Sequence, residues 1–187
     1  MWFLTDFADQ AVVMPLAAAV ALAIWLSGWR RGALAWALTV ALTFAAVAAA
    51  KIAVFAFGAP DSLPGLQSPS GHTASAALIY GGLVAMLANR TAPQLRTILV
   101  AVLFAVTIGF TRLSLEVHTR ADVMVGAAIG ITGAMMLSWL AGERPEAMKL
   151  RLPAGAVAVV IFLFHGLHMP AEVWLHVAAD TVRTAVN

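Results

Sequence analysis

Two long stretches of the sequence, residues 11–29 and 33–57, contain a single charged residue between them, Lys51. Each stretch is about as long as the roughly 20 apolar residues that a helix needs to cross the hydrocarbon core of a bilayer. Over all 187 residues, 62% are hydrophobic and only 11% are charged. Soluble domains have about 25% charged residues, and disordered chains are poor in apolar residues. The sequence therefore predicts an all-α integral membrane protein.

The remaining apolar segments extend this pattern to a bundle of about six transmembrane helices. Further spans are expected at 70–88, 95–115, 122–141 and 153–167. Residues 2–7 are expected to form a short interfacial segment. Residues 170–186 are expected to form an interfacial helix, with a frayed end as the alternative. Because the loops are short, residues 1–187 are expected to form a single membrane-embedded domain, with a core at about 45–142.

Positively charged residues are distributed unequally between the two sets of loops. The loops after the first, third and fifth spans contain seven of them, which are Arg30, Arg31, Arg90, Arg96, Arg144, Lys149 and Arg151. The opposite side has three, which are Arg112, Arg120 and Arg183. Since cytoplasmic loops carry the excess of Lys and Arg, both chain ends are expected outside the cytoplasm. The expected location is a bacterial inner (cytoplasmic) membrane.

Composition also bears on partners and cofactors. The formal net charge is only +2, and the basic residues are scattered, so no nucleic-acid partner is expected. The chain has no cysteine, which excludes a disulfide framework and a thiol nucleophile. The sequence contains no cluster of carboxylates that could hold a metal ion, so neither a metal nor another cofactor is expected.

The polar residues that remain gather on the side expected to face the periplasm or exterior. Lys51 lies near the outer end of the second span, and Ser70, Gly71 and His72 open the third. Ionisable residues inside membrane spans are costly and usually mark function. A helix start offers unpaired N–H groups to an anion, and Lys51 and Arg112 would add two cations. This combination predicts an anion-binding site at the outer membrane face.

Two histidines and one aspartate complete this cluster. His118 and Asp122 are four residues apart, a spacing that places them on one face if the segment is helical. The carboxylate would then hold Nδ1–H of the imidazole and leave Nε2 free as a nucleophile. His72 would remain as a second imidazole that donates a proton to a leaving oxygen. These residues predict phosphoryl transfer through a phosphohistidine.

Two sequence patterns resemble signature motifs of the type 2 phosphatidic acid phosphatase superfamily, which comprises integral-membrane lipid phosphate phosphatases related in fold to vanadium haloperoxidases. One is Pro-Ser-Gly-His at 69–72, and the other is Thr-Arg-x5-His-x3-Asp at 111–122. The resemblance covers the second through fifth spans. It implies that His118 is the nucleophile, Asp122 its orienting partner and His72 the acid. It also implies a set of phosphate-binding residues, which are Lys51, Ser70, Gly71 and Arg112.

The first motif of that family, Lys-x6-Arg-Pro, is incomplete in this sequence. Lys51 is in place, but Gly58 and Ala59 stand where Arg-Pro is expected. Arg120 is the unassigned cation beside the cluster, and we consider it as a phosphate-binding replacement for the missing charge. On a helix it would point about 200° away from His118, so this hypothesis requires a loop there. The alternative is an arginine that faces solvent or lipid headgroups.

The expected function is that of a membrane lipid phosphatase that hydrolyses a phosphomonoester or pyrophosphate at the outer leaflet. Candidate substrates include undecaprenyl pyrophosphate, phosphatidylglycerol phosphate, phosphatidic acid and lipid A phosphate. A lipid phosphotransferase that uses the same histidine is one alternative. A non-enzymatic anion-binding membrane transporter is the other.

Overall fold

The computed structural model describes residues 1–88 and 94–186, and Arg90 therefore lies outside the described residues. The described chain forms nine α-helices and contains no strand, which confirms the all-α prediction. The helices are α1 (Trp2–Asp6), α2 (Gln10–Leu26), α3 (Arg30–Phe57), α4 (Gly71–Ser75), α5 (Leu83–Ala88), α6 (Gln94–Ser114), α7 (Arg120–Ala141), α8 (Arg151–Phe164) and α9 (Ala171–Val186). A π-helical segment, Ala76–Gly82, connects α4 to α5.

Within residues 1–88 and 94–186, four helical stretches are long and apolar enough to cross a bilayer, and they correspond to four of the six predicted spans. They are Trp2–Leu26, Arg30–Phe57, Gln94–Ser114 and Arg120–Ala141. The predicted span at 70–88 is helical from α4 to α5 but contains the π-helical segment. The predicted span at 153–167 corresponds to α8, which has only 14 residues. The structure thus supports a multi-pass membrane protein, and the count of six stays a prediction.

The lateral surface of the bundle is apolar, as a lipid environment requires. Large hydrophobic side chains are exposed along α3 and α6, among them Leu38, Leu42, Leu99, Leu103 and Val106. A contiguous apolar surface of this kind is rare on a soluble monomer, whereas lipid tails solvate it well. The exposed faces of these helices therefore fit contact with the bilayer.

Helix α7 lies against the α4 segment at two glycines. A Cβ atom built at Gly126 would come closer than 3.0 Å to the carbonyl oxygen of Ser70, and one at Gly130 would do the same to that of Ala74. Glycine is required here because no other residue lets two backbones approach so closely. The Gly126–Gly130 pair thus packs two helices of the same chain together and fixes α4 against α7.

The arginines at the start of α3 lie far from Lys51, which is near the end of the same helix. Arg31, at the start of α3, donates from Nε to the carbonyl oxygen of Leu140 at 2.8 Å, near the end of α7. Lys51 follows in the same helix after a rise of about 30 Å, at 1.5 Å per residue, which is close to the thickness of a bilayer core. The site described below is therefore at the opposite end of α3 from Arg30 and Arg31.

Both ends of the described chain pack at the Lys51 end of the bundle. The predicted interfacial segment at 2–7 is α1, and the hydroxyl of Tyr80 donates to the carbonyl oxygen of Phe7 beside it. The predicted tail segment is helical, not frayed, and its His176 stacks on Phe55 of α3 with ring centroids 3.9 Å apart. Val173 and Trp174 on α9 are exposed, as expected for a helix at a membrane interface.

Candidate active site

A cavity of about 490 Å³ opens at the Lys51 end of the bundle, between α2, α3, α4, the end of α6 and α9. Five of the residues predicted from the sequence line it, and they come from four separate segments of the chain. They are Lys51, Gly71, His72, Arg112 and His118. Packing therefore brings two histidines and two cationic side chains to one concave site.

His118 lies next to Asp122, but they do not share a helix. Nδ1 of His118 is 3.4 Å from Oδ2 of Asp122, which is long for a hydrogen bond. Thr119 is the N-cap of α7, and it exchanges hydrogen bonds with Asp122 in a capping box. His118 thus precedes the helix, and the cap, not helical stacking, brings its ring to the carboxylate.

Asp122 also fixes the loop that precedes α4. Its Oδ1 accepts hydrogen bonds from the backbone N–H groups of Gln67 at 2.8 Å and Ser68 at 2.7 Å. Its backbone oxygen accepts a third, from the N–H of Ser70 at 2.9 Å. With only 1% of its surface exposed, Asp122 joins the histidine to this loop. The sequence patterns indicated the contact of Asp122 with His118 but not its contacts with this loop.

Lys51 is buried, with 5% of its surface exposed, and it is paired within the cavity. Its Nζ donates to the hydroxyl of Ser68 at 2.6 Å and forms an ion pair with the carboxylate of Glu172 on α9. The Ser68 hydroxyl also donates to Glu172, at 3.0 Å. Sequence reasoning did not single out Glu172, because it belongs to no motif and lies 121 positions from its partner.

Arg112 reaches the site from the last turn of α6. Its Nη1 donates to the hydroxyl of Thr5 at 3.1 Å, so the N-terminal helix steadies the guanidinium group. Its Nε is buried and has no hydrogen-bond partner within residues 1–88 and 94–186. A buried donor without an acceptor is costly, and the guanidinium group is the part of Arg112 that could contact an anion in the cavity it lines.

His72 also has an acidic neighbour, Asp9. The Nε2 of His72 is 3.7 Å from Oδ2 of Asp9, and both side chains are largely buried. The sequence patterns did not point to Asp9, since it precedes the first predicted span and belongs to neither motif.

Three other positions considered from the sequence lie elsewhere. The hydroxyl of Ser70 caps α4, accepting from the N–H of Thr73 at 3.3 Å, and the residue is 0% exposed. Arg120 is exposed in the first turn of α7 and does not line the cavity. Gly58 ends α3 with φ of +85°, a conformation that favours glycine over the arginine of the related motif.

Burial and the nearby charges shift the pKa values of His118 and Glu172. Burial lowers the pKa of His118, and the positive charges of Lys51 and Arg112 lower it further, although Asp122 opposes them. Burial acts to raise the pKa of Glu172, but the hydrogen bond and charge of Lys51 prevail and bring it to about 2. His118 is therefore neutral near pH 7, the form in which an imidazole can act as a nucleophile, and Glu172 is ionised.

The described ranges contain no group of three or more His, Cys, Asp or Glu side chains that could hold a metal ion. Apart from the carboxylate of Glu172, the ionisable groups that line the cavity are two cationic donors and two imidazoles, which suit an anion such as phosphate.

Comparison with known proteins identifies the class. The family model of the PAP2 superfamily matches residues 52–146, about half of the chain, and the chain belongs to that superfamily. Members of this superfamily are phosphatases, and membership supports a phosphoric ester hydrolase. The match contains His72, Arg112, His118 and Asp122 and begins one residue after Lys51.

One curated relative is similar over most of the chain. It is a protein of Klebsiella pneumoniae described as an uncharacterized 22.5 kDa protein in the cps region. It is 26% identical over 160 residues, which cover 84% of this chain and 77% of the relative. No solved structure matches.

Proposed function

We propose that the protein is a membrane lipid phosphatase that hydrolyses a lipid phosphomonoester or pyrophosphate through a phosphohistidine on His118. The observation that carries the proposal is the convergence of two histidines, Lys51 and Arg112 on one cavity at the end of a membrane bundle. Membership of the PAP2 superfamily supports the same chemistry.

In the proposed reaction, Lys51 and Arg112 bind the phosphate oxygens and offset the charge that grows in the transition state. Nε2 of His118 attacks phosphorus, and the bond from phosphorus to the lipid oxygen breaks with its electron pair on oxygen. His72 gives a proton to that oxygen. Water then attacks the phosphohistidine and gives a proton to His72, and the phosphorus–nitrogen bond breaks to release phosphate.

The lipid part of the substrate would occupy the apolar portion of the cavity. Its lining includes Met14, Phe44, Val47, Trp174 and Leu175, which offer no charge to the ligand. A prenyl or acyl chain suits such walls, because apolar side chains surround it much as the lipid tails of the bilayer do. Undecaprenyl pyrophosphate and phosphatidylglycerol phosphate are the substrates we propose to assay first.

We also propose that the protein lies in a bacterial inner membrane with this cavity facing the periplasm or exterior. The unequal distribution of Lys and Arg supports this orientation. The position of Lys51, about 30 Å along α3 from Arg30 and Arg31, fits a site at the opposite membrane face.

The test is phosphate release by the purified protein from mixed vesicles that contain one of the two lipids. His118→Ala is expected to abolish release and the acid-labile phosphoprotein seen after rapid quenching. His176→Ala, which changes a histidine outside the cavity, is the matched control and is expected to retain activity. Near wild-type release by His118→Ala would overturn the mechanism, and a phosphorylated acceptor lipid in place of free phosphate would identify a phosphotransferase.

A further inference from the structure

Asp9 is a buried carboxylate at the junction of α1 and α2, with 5% of its surface exposed. One of its oxygens, Oδ1, is occupied by two backbone donors. It accepts from the N–H of Ala11 at 2.8 Å, as the N-cap of α2, and from that of Met169 at 3.1 Å. These bonds hold the carboxylate in place between the two ends of the described chain.

The other oxygen of Asp9 faces the cavity histidine. Oδ2 is 3.7 Å from Nε2 of His72, within ion-pair distance. The ring also lies in the field of Lys51 and Arg112, two cations that disfavour a third positive charge nearby. A carboxylate at this distance provides the counter-charge that a buried imidazolium requires.

We propose that Asp9 is a positioning residue for His72, holding its imidazolium in place through the Nε2 edge so that Nδ1–H can protonate the leaving oxygen. This inference rests on the proposed phosphatase function. The site then contains two histidine–carboxylate pairs, and the carboxylate faces a different ring nitrogen in each. Asp122 faces Nδ1 of His118, the nucleophile, and Asp9 faces Nε2 of His72, the acid.

The variant Asp9→Asn separates this role from the structural one. Asparagine keeps an acceptor oxygen for Ala11 and Met169 and is as good an N-cap as aspartate, but it removes the charge opposite His72. Asp180→Asn on α9 is the matched control, because Asp180 pairs with Arg183 and does not line the cavity. Should Asp9→Asn fold poorly, Asp9→Ser retains a capping oxygen and serves the same purpose.

The measurement is kcat/KM for two substrates that differ in their need for a proton. Cleavage of a lipid phosphomonoester such as phosphatidylglycerol phosphate expels an alkoxide and needs general acid catalysis, whereas cleavage of p-nitrophenyl phosphate expels a stable phenolate and needs little. Asp9→Asn is expected to reduce kcat/KM about 10- to 100-fold for the lipid, mainly through kcat, and less than about threefold for the aryl phosphate. Asp180→Asn is expected to change neither value.

A double variant completes the test. If Asp9 acts through His72, adding Asp9→Asn to His72→Ala should cost less than about threefold for the lipid, since the shared step is already lost. Equal losses on both substrates, or losses that multiply in the double variant, would overturn the role of Asp9. A fully active His118→Ala protein would instead overturn the proposed function, so the two failures are distinguishable.

Discussion

The carboxylate of Glu172, on the C-terminal helix α9, forms an ion pair with the buried ammonium group of Lys51 in α3. The proposed mechanism assigns that same ammonium group to a phosphate oxygen. A phosphate ligand and Glu172 therefore compete for Lys51, and the anion must displace the carboxylate or share the cation with it. This competition makes the affinity for anions depend on a residue outside both sequence motifs.

Glu172→Gln is expected to tighten the binding of inorganic phosphate and of vanadate, because it removes the competing negative charge. The side chain of Glu172 is 57% exposed, so its pairing is screened and the effect is modest. We expect an inhibition constant about two- to fivefold lower, measured in the phosphatase assay. Asp180→Asn, on the same helix but paired with Arg183, is the control and should leave the constant unchanged. Weaker inhibition of Glu172→Gln would show that the carboxylate supports anion binding.

The pH dependence should report on His118. Since burial and the two nearby cations lower the pKa of His118 from its ordinary 6.5, the neutral nucleophile persists at mildly acidic pH. The acidic limb of the kcat/KM profile should therefore have its midpoint below about 6.5. Lys51→Gln removes one of those cations, so the pKa of His118 should rise and the limb should move to higher pH, along with a loss of activity. Lys149→Gln is the control and should not move the limb. An unchanged midpoint in Lys51→Gln would show that the charge of Lys51 does not lower the pKa of His118.

Gly126→Ala should destabilise the protein, because the new methyl group would press against the carbonyl oxygen of Ser70. We expect a loss of about 1–3 kcal/mol, seen as a lower midpoint of thermal unfolding in detergent, together with reduced activity. Gly155→Ala is the matched control. That glycine lies within α8 with open space around its Cβ position, so alanine should be neutral or slightly stabilising there. Equal midpoints for the two variants would show that α7 can move away from α4 at little cost.

The proposed orientation can be tested with a reporter enzyme that is active only in the periplasm. Fused after Asn187 it should be active, whereas inserted near Pro93, outside the described residues, it should be inactive. The expectation rests on the Lys and Arg count over short loops. The reverse pattern would place the cavity on the cytoplasmic side and make its substrate a lipid of the inner leaflet.

The sequence predicted the residues whose patterns are local. Apolar runs marked the spans, and the two motifs supplied His72, Arg112 and His118, which the fold brings to one cavity together with Lys51. The predicted span at 153–167 ends three residues beyond α8, which ends at Phe164, because apolar content alone does not locate the helix end at His165.

Other features depend on packing that no local pattern records. Glu172 lines the cavity because α9 packs there, and Asp9 lies beside His72 at the α1–α2 junction; the partners of both residues are far away in sequence. The four-residue spacing of His118 and Asp122 suggested a shared helical face. Thr119 is instead the N-cap, and α7 begins at Arg120, after His118. Arg120 lies in the first turn of that helix with its side chain exposed. Among the described residues, the cations that line the cavity are Lys51 and Arg112, so Arg120 does not supply the charge that the incomplete first motif lacks.

The hydrogen bonds that Asp122 accepts from the loop before α4, and the close glycine contacts between α7 and α4, connect the segments that contain His72 and His118. The opposite wall is built differently, from side chains of α2 and α9 such as Met14, Val173 and Trp174. Those helices lie outside residues 52–146, the part that the chain shares with its superfamily. Under the proposed function, exchange of these wall side chains would change the choice of lipid tail without altering His72, Arg112, His118 or Asp122, which lie within the shared part.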